Sequence, residues 1–185
     1  MREAHTMTIA GVTRDLPLCK VNDDLYIAAF IMFGDVEMTK ACATQLLAKA
    51  PEHDIMITAE SKGIPLIYEM ARQSGADNYI IARKGPKVYM KNVIHTYVNS
   101  ITTVSQQMLC VGEDDANALK GKRVLIVDDV ISTGESLAAL EKLVNQVGGI
   151  IVGKMAVLAE GDSINRSDVI ALETLPVFDK NGEIL

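Results

Sequence analysis

The sequence predicts an α/β domain with a largely parallel central sheet flanked by helices. Three observations predict it. Short, wholly apolar runs alternate with stretches of helical periodicity, the pattern of repeated strand–helix units. Glycine or proline stands where the helical stretches stop. The chain has 185 residues, 49% of them hydrophobic, which suits one domain around one sizeable core.

The elements follow in order. A helix over about 36–49 starts after Gly34-Asp35 and stops before Pro51. Residues 54–59 (DIMITA) read as a buried strand, followed by a helix from Ile64 to Ser74 that Gly75 ends. Residues 78–82 (NYIIA) are the next strand, and VLIV at 124–127 is the clearest buried one. The helix after it runs from Glu135 to Val147, with Leu137, Leu140, Val144 and Val147 on one face and Gly148-Gly149 as its stop. Ile150 to Leu158 is a further strand. Residues 87–111 break the rhythm with β-rich polar text, which reads as a two-stranded excursion between two strand–helix units. No repeat or linker marks a second domain. Residues 1–185 are expected to form one domain, with 1–50 an N-terminal part and first helix, and 51–178 the core.

Charge and composition exclude several classes. With 18 Lys+Arg against 24 Asp+Glu the net charge is −6, so a general nucleic-acid binder, which needs a basic face, is not expected. The longest apolar run, Leu25 to Phe33, falls short of the roughly 20 residues a bilayer span takes. The N-terminal MREAHTMTIAG has no apolar signal core. No membrane partner and a cytoplasmic location are the expectations. Cys19, Cys42 and Cys110 are far apart, His5, His53 and His95 are scattered, and neither CxxC nor HExxH occurs. Buried reduced thiols are expected rather than a zinc or redox site. Walker A and dinucleotide-binding glycine patterns are also missing.

The sharpest feature is VLIVDDVISTGES, Val124 to Ser136. An apolar strand delivers Asp128 and Asp129 at its carboxyl end, and a turn with Ser132, Thr133 and Gly134 opens a helix at Glu135 and Ser136. Free amides at such a turn, backed by the helix dipole, make a phosphate cradle. Two carboxylates beside it suit the vicinal hydroxyls of a ribose, directly or through Mg²⁺.

This string resembles the phosphoribosyl pyrophosphate (PRPP) motif of type I phosphoribosyltransferases. The resemblance extends over about residues 25–178 and implies that family's fold, with a β flap at 87–111 and a small N-terminal hood. It implies Asp128 and Asp129 as the catalytic carboxylates at the ribose and at Mg²⁺, directly or through water. Ser132, Thr133, Gly134, Glu135 and Ser136 would hold the 5′-phosphate. Glu60-Ser61-Lys62-Gly63, after strand 54–59, takes the place of the pyrophosphate loop, where the resemblance implies a non-proline cis peptide. Arg83 and Lys84 match the family's R-K on the pyrophosphate side, and Lys87 follows; with Lys91 they put four cations within nine positions of an acidic chain. The flap would close over the reacting ribose and exclude water.

The resemblance also points to the base. Hypoxanthine and guanine enzymes usually carry Asp where Ser132 stands, whereas the adenine and xanthine branches carry a small residue. Tyr26–Thr39 occupies the place of the adenine enzymes' hood; Phe33 and Asp35 fit its F-R-D-I pattern, with Gly34 in place of arginine. Phe30 or Phe33 is the candidate to stack on a base. Where xanthine enzymes place a lysine, this chain has Glu160, whose carboxylate suits an exocyclic amino group. Adenine is the expected acceptor and Mg²⁺ the expected cofactor, in a homodimer engaged in purine salvage. Xanthine or orotate transfer, or a non-catalytic PRPP sensor, are the alternatives. The sensor class also carries an N-terminal DNA-binding domain, and the roughly 50 residues before the first core strand are expected to be too few for that domain plus the hood.

Overall fold

The computed structural model describes residues 3–98 and 107–185. An antiparallel hairpin opens the chain. β1 (Ala4–Ile9) and β2 (Val12–Lys20) pair from Ala4–Pro17 to Ile9–Val12. Ala10 and Gly11, at φ 51° and 82°, form the two-residue turn that matches the twist of the strands. β3 (Tyr26–Ala28) pairs with β2. α1 (Val36–Lys49) follows, its first turn capped by Asp35, which accepts the Met38 amide at 3.0 Å.

The core then builds up as β4 (Ile55–Ala59), α2 (Ile64–Ser74) and β5 (Ile80–Ala82). β6 (Ile94–Val98) and β7 (Gln107–Val111) pair antiparallel and are the predicted excursion. Of the expected 87–111 flap, residues 99–106 lie outside the described residues. α3 (Glu113–Leu119), β8 (Arg123–Ile131), α4 (Glu135–Gln146) and β9 (Ile150–Glu160) follow. A 3-10 turn (Gly161–Asn165), β10 (Ile170–Leu175) and β11 (Val177–Phe178) close the chain.

The central sheet has the order β10-β9-β8-β4-β5 with every neighbour parallel. Both faces are covered, which is why its strands read as continuous apolar runs. Leu125 and Val127 of β8 join one buried cluster with α1, α2 and the N-terminal strands. Val124 and Ile126 join the other, with α3 and α4. β11 pairs with β3, so Val177–Phe178 belongs to the N-terminal sheet β1-β2-β3-β11 rather than to the central one. Phe178 is wholly buried there with Ile9 and Leu16.

Strand order reverses between β4 and β8. The chain runs outward from β4 to β5, then returns to β8 on the other side and continues to β9 and β10. In an open parallel sheet, ligands bind beyond the carboxyl ends of the strands flanking such a reversal. Those ends carry residues 60–63 and 132–134.

Candidate functional site

β8 reaches further than its apolar run. Asp128 and Asp129 stay within the strand, Asp128 paired in register with Ala156 of β9. The carboxylates therefore do not stand free at a strand end: they are 7% and 3% exposed. Burial, and then the adjacent Asp129 charge, push the Asp128 carboxyl well above the usual carboxylate range. Its Oδ1 accepts the Asp129 amide at 2.9 Å and lies 3.3 Å from the Ser61 hydroxyl.

The 60–63 loop is drawn tight against this pair. Ser61 Oγ accepts the Gly63 amide at 3.2 Å, and the Ser61 carbonyl accepts the Ile64 amide at 3.4 Å. A Cβ on Gly63 would stand 3.0 Å from Thr58 Oγ1 and 3.2 Å from Asp128 Oδ1, so close approach requires glycine. The cis peptide implied by resemblance is not found, since every described peptide bond is trans. The turn is closed by Ser61 instead.

Lys62, expected on the pyrophosphate side, points elsewhere. Its ammonium donates to the Phe30 carbonyl at 2.8 Å and stands 3.2 Å from Asp129 Oδ2. That places it between the N-terminal sheet and the carboxylate pair.

A cavity of about 330 Å³ gathers Phe30, Ser61, Lys62, Asp128, Asp129, Ser132, Ser136 and Glu160. Ile27, Ala28 and Ala29 from the N-terminal segment, Val130 of β8 and Leu175 from β10 complete its wall. The apolar run ending just before α1 was the available signal for the first three. Phe30 is 3% exposed. Burial raises the Glu160 carboxyl above its ordinary range, with the Lys62 charge pulling the other way. Phe33 is absent from this wall and 58% exposed. Gly34, at φ 81°, turns the chain toward Asp35, which Arg14 of β2 anchors at 2.7 Å. Phe33 is left facing outward.

The loop after β8 lines a second, smaller hollow of about 40 Å³, formed by Asp128 and residues 130–137. Ser132 and Ser136 belong to both. Gly134 takes φ 80° as α4 begins, and the orphan amides of that first turn face no helical acceptor. Two residues here had no signal in the sequence. Ser163 of the 3-10 turn donates its hydroxyl to the Ser132 carbonyl, and Arg166 lies against Gly134; both come from polar text after β9.

The remaining candidates form a basic group beside the cavity rather than in its wall. Glu60 accepts the Lys84 amide at 2.9 Å and faces Arg83 at 3.1 Å and Lys87 at 3.9 Å. The amide, then the nearby cations, hold the Glu60 carboxyl below its usual range. The Lys84 side chain is exposed. Elsewhere, Cys42 and Cys110 are buried thiols as expected, but Cys19 is exposed because its β2 position faces solvent.

The donor chemistry fits a hard cation. Asp129 Oδ2 is enclosed beside a second carboxylate and accepts no hydrogen bond of good geometry, the Lys62 ammonium standing 3.2 Å away. Among the described residues no group of three or more His, Cys, Asp or Glu could hold a metal. A Mg²⁺ at the pair would complete its coordination with phosphate oxygens and water, its usual preference.

Paired carboxylates beside the 132–136 loop, at the reversal point of a parallel sheet, place the candidate site of this α/β domain where such sheets bind ligands. Residues 38–180 match the family model described as the phosphoribosyl transferase domain, and the chain belongs to that family. An adenine phosphoribosyltransferase from Acetivibrio thermocellus is 30% identical over 154 residues, covering 80% of this chain and 84% of its own length. A hypoxanthine/guanine phosphoribosyltransferase from Methanosarcina mazei is also 30% identical, over 71% of this chain and 68% of its own. Some further relatives align over 55–60% of their own length. The fold is that of adenine phosphoribosyltransferase from Saccharomyces cerevisiae, solved with adenine and an imino-altritol bisphosphate: TM-score 0.64 and 19% identity, over 92% of this chain and 94% of that one. Among the described residues no helix is long and apolar enough to cross a membrane.

Proposed function

We propose that this chain is a purine phosphoribosyltransferase that transfers the phosphoribosyl group of PRPP to adenine, giving AMP and pyrophosphate. One observation carries the reading: a single cavity is lined by the Asp128–Asp129 pair, by Ser132 and Ser136, and by the buried residues Phe30 and Glu160. Those are the partners a ribose, a 5′-phosphate and an amino-bearing base require.

In the reaction the anomeric carbon loses its bond to the pyrophosphate oxygen and gains one to a ring nitrogen of the base, whose proton departs. The transition state carries positive charge on the ribose. Asp128 and Asp129 hold the ribose hydroxyls and offset that charge. The amides of 133–136 anchor the 5′-phosphate, fixing the ribose while the bond exchange proceeds. Asp128 and Asp129 would hold a Mg²⁺, which when bound would supply positive charge against the leaving pyrophosphate. Arg83, Lys84 and Lys87 supply further positive charge, with Glu60 setting the positions of Arg83 and Lys87. Phe30 stacks on the base and Glu160 accepts from its amino group. Lys62 holds the hood carbonyl of Phe30 at the correct distance from Asp129. The protein is read as a cytoplasmic homodimer with neither nucleic acid nor membrane as partner.

The test is a panel: PRPP and Mg²⁺ with adenine, hypoxanthine, guanine, xanthine or orotate, followed by nucleotide product. AMP formation with the highest kcat/KM supports the reading. Preference for hypoxanthine, guanine, xanthine or orotate reassigns the base wall. PRPP binding without turnover of any base favours a sensor.

A further inference from the structure

The 132–136 hollow has an electrostatic problem. A phosphomonoester brings nearly two negative charges near neutral pH, and the hollow is lined by no cationic side chain but by two acidic residues, Asp128 and Glu135. Amides at a helix start supply partial charge only, equivalent to about half a unit.

A cation stands at its edge. If Gly134 carried a Cβ, that atom would meet Nη1 of Arg166 at 2.8 Å. The guanidinium thus lies directly against the loop backbone. Its other nitrogens are committed: Nε donates to Asp168 Oδ1 at 3.0 Å and Nη2 to Oδ2 at 2.7 Å. Asp168 also takes Lys154, which pairs with Glu141 of α4 at 2.6 Å. This fork fixes the plane of the guanidinium and leaves Nη1, which meets no acceptor among the described residues, on the side of Gly134. The segment is secured a second time at Ser163, 2% exposed, whose hydroxyl holds the Ser132 carbonyl and whose own carbonyl accepts the Arg166 amide at 3.1 Å.

We propose that Arg166 is a direct ligand of the substrate's 5′-phosphate, its Nη1 poised over Gly134, with Asp168 as the positioning residue that aims it. This rests on the reading of the 132–136 loop as the phosphate site. An arginine suits the task because it stays charged at any working pH and keeps a donor free while forked to a carboxylate. It also gives Gly134 a second reason to be glycine: a side chain there would displace the guanidinium.

The experiment is calorimetric titration of the full chain with ribose 5-phosphate and, separately, with pyrophosphate, for wild type, Arg166→Gln, Arg166→Lys and Asp168→Asn. Each variant is first checked for an intact fold by circular dichroism and melting. The expected result is a loss of about ten- to hundredfold in ribose 5-phosphate affinity for Arg166→Gln, with pyrophosphate affinity within about twofold of wild type. Arg166→Lys recovers part of the loss, because the charge remains while the fork does not; Asp168→Asn shows a smaller loss in the same direction. In turnover, Arg166→Gln raises KM for PRPP far more than it lowers kcat. Equal loss for both ligands, or unchanged ribose 5-phosphate affinity, overturns the assignment and leaves Arg166 a structural brace. Failure of the wild type to bind ribose 5-phosphate overturns the phosphate reading of the loop itself, and the assignment with it.

Discussion

Lys62 Nζ stands 3.2 Å from Asp129 Oδ2 while donating a 2.8 Å hydrogen bond to the carbonyl oxygen of Phe30. One side chain thereby joins the core carboxylates to the segment that follows β3. Its removal leaves a buried carboxylate without its cation, and breaking such a pair costs more than the pair itself contributes.

Lys62→Met is expected to loosen the hood. Backbone amides of residues 26–30 should exchange with solvent faster than in wild type, and kcat/KM should fall by about tenfold or more. Unchanged exchange at 26–30 would show that the hood is held by its own packing.

The two phenylalanines separate cleanly. Phe33, largely exposed and outside the cavity wall, should tolerate alanine with KM for the base within twofold and stability within about 0.5 kcal/mol. Phe30→Leu keeps an apolar wall but removes the ring, and should raise KM for the base. Phe30→Ala should also cost about 3–5 kcal/mol of stability as a core truncation. Steady-state kinetics with thermal melts distinguish the effects.

Gly63→Ala tests close packing without backbone strain, since φ is −70°. The added methyl would crowd Thr58 Oγ1, Asp128 Oδ1 and the Asp129 amide. A loss of about 1–3 kcal/mol is expected from overpacking, and KM for PRPP should rise if the crowded Asp128 carboxylate holds the ribose as proposed. A rise in KM without destabilisation would place the whole cost on Asp128.

The Asp54–Arg123 pair ties the start of β4 to the start of β8. Arg123 donates to Asp54 by side chain at 2.8 Å and by backbone at 2.8 Å, and these bonds pull the Asp54 carboxyl down to about 2. The folded value lies below the ordinary Asp value of about 3.9, so the pair stabilises the fold above that pH and its contribution disappears as pH falls through about 2. Asp54→Asn should therefore melt slightly below wild type at neutral pH and converge with it near pH 2. A constant difference across that range would contradict the ionic origin.

Much of this was legible in advance for a physical reason. Strands buried on both faces and amphipathic helices with glycine stops leave strong local patterns, and α1, α2 and α4 fall within a residue of their expected ends. The hairpin was not separately legible: its turn is Ala10-Gly11 rather than the usual Asn-Gly, and Pro17 argues against a strand. The sequence makes β8 look short, because Asp128 and Asp129 resemble a strand end, although the ladder with β9 continues to Ile131. In the site, residue types announced themselves but side-chain directions did not. Phe33 lies next to the expected chemistry in sequence and turns away from it in space, Lys62 turns to Asp129 and the Phe30 carbonyl, and the Ser163–Ser132 bond joins segments that no local pattern connects.

The central claim is that Asp128 and Asp129, with the loop beginning at Ser132, hold PRPP for transfer to a purine. Pyrophosphate release from PRPP, Mg²⁺ and adenine, compared between wild type and the Asp128→Asn, Asp129→Asn double variant, tests it most directly. The wild type should release pyrophosphate stoichiometrically with AMP, and the folded double variant should release essentially none. A double variant that retains turnover would contradict the account.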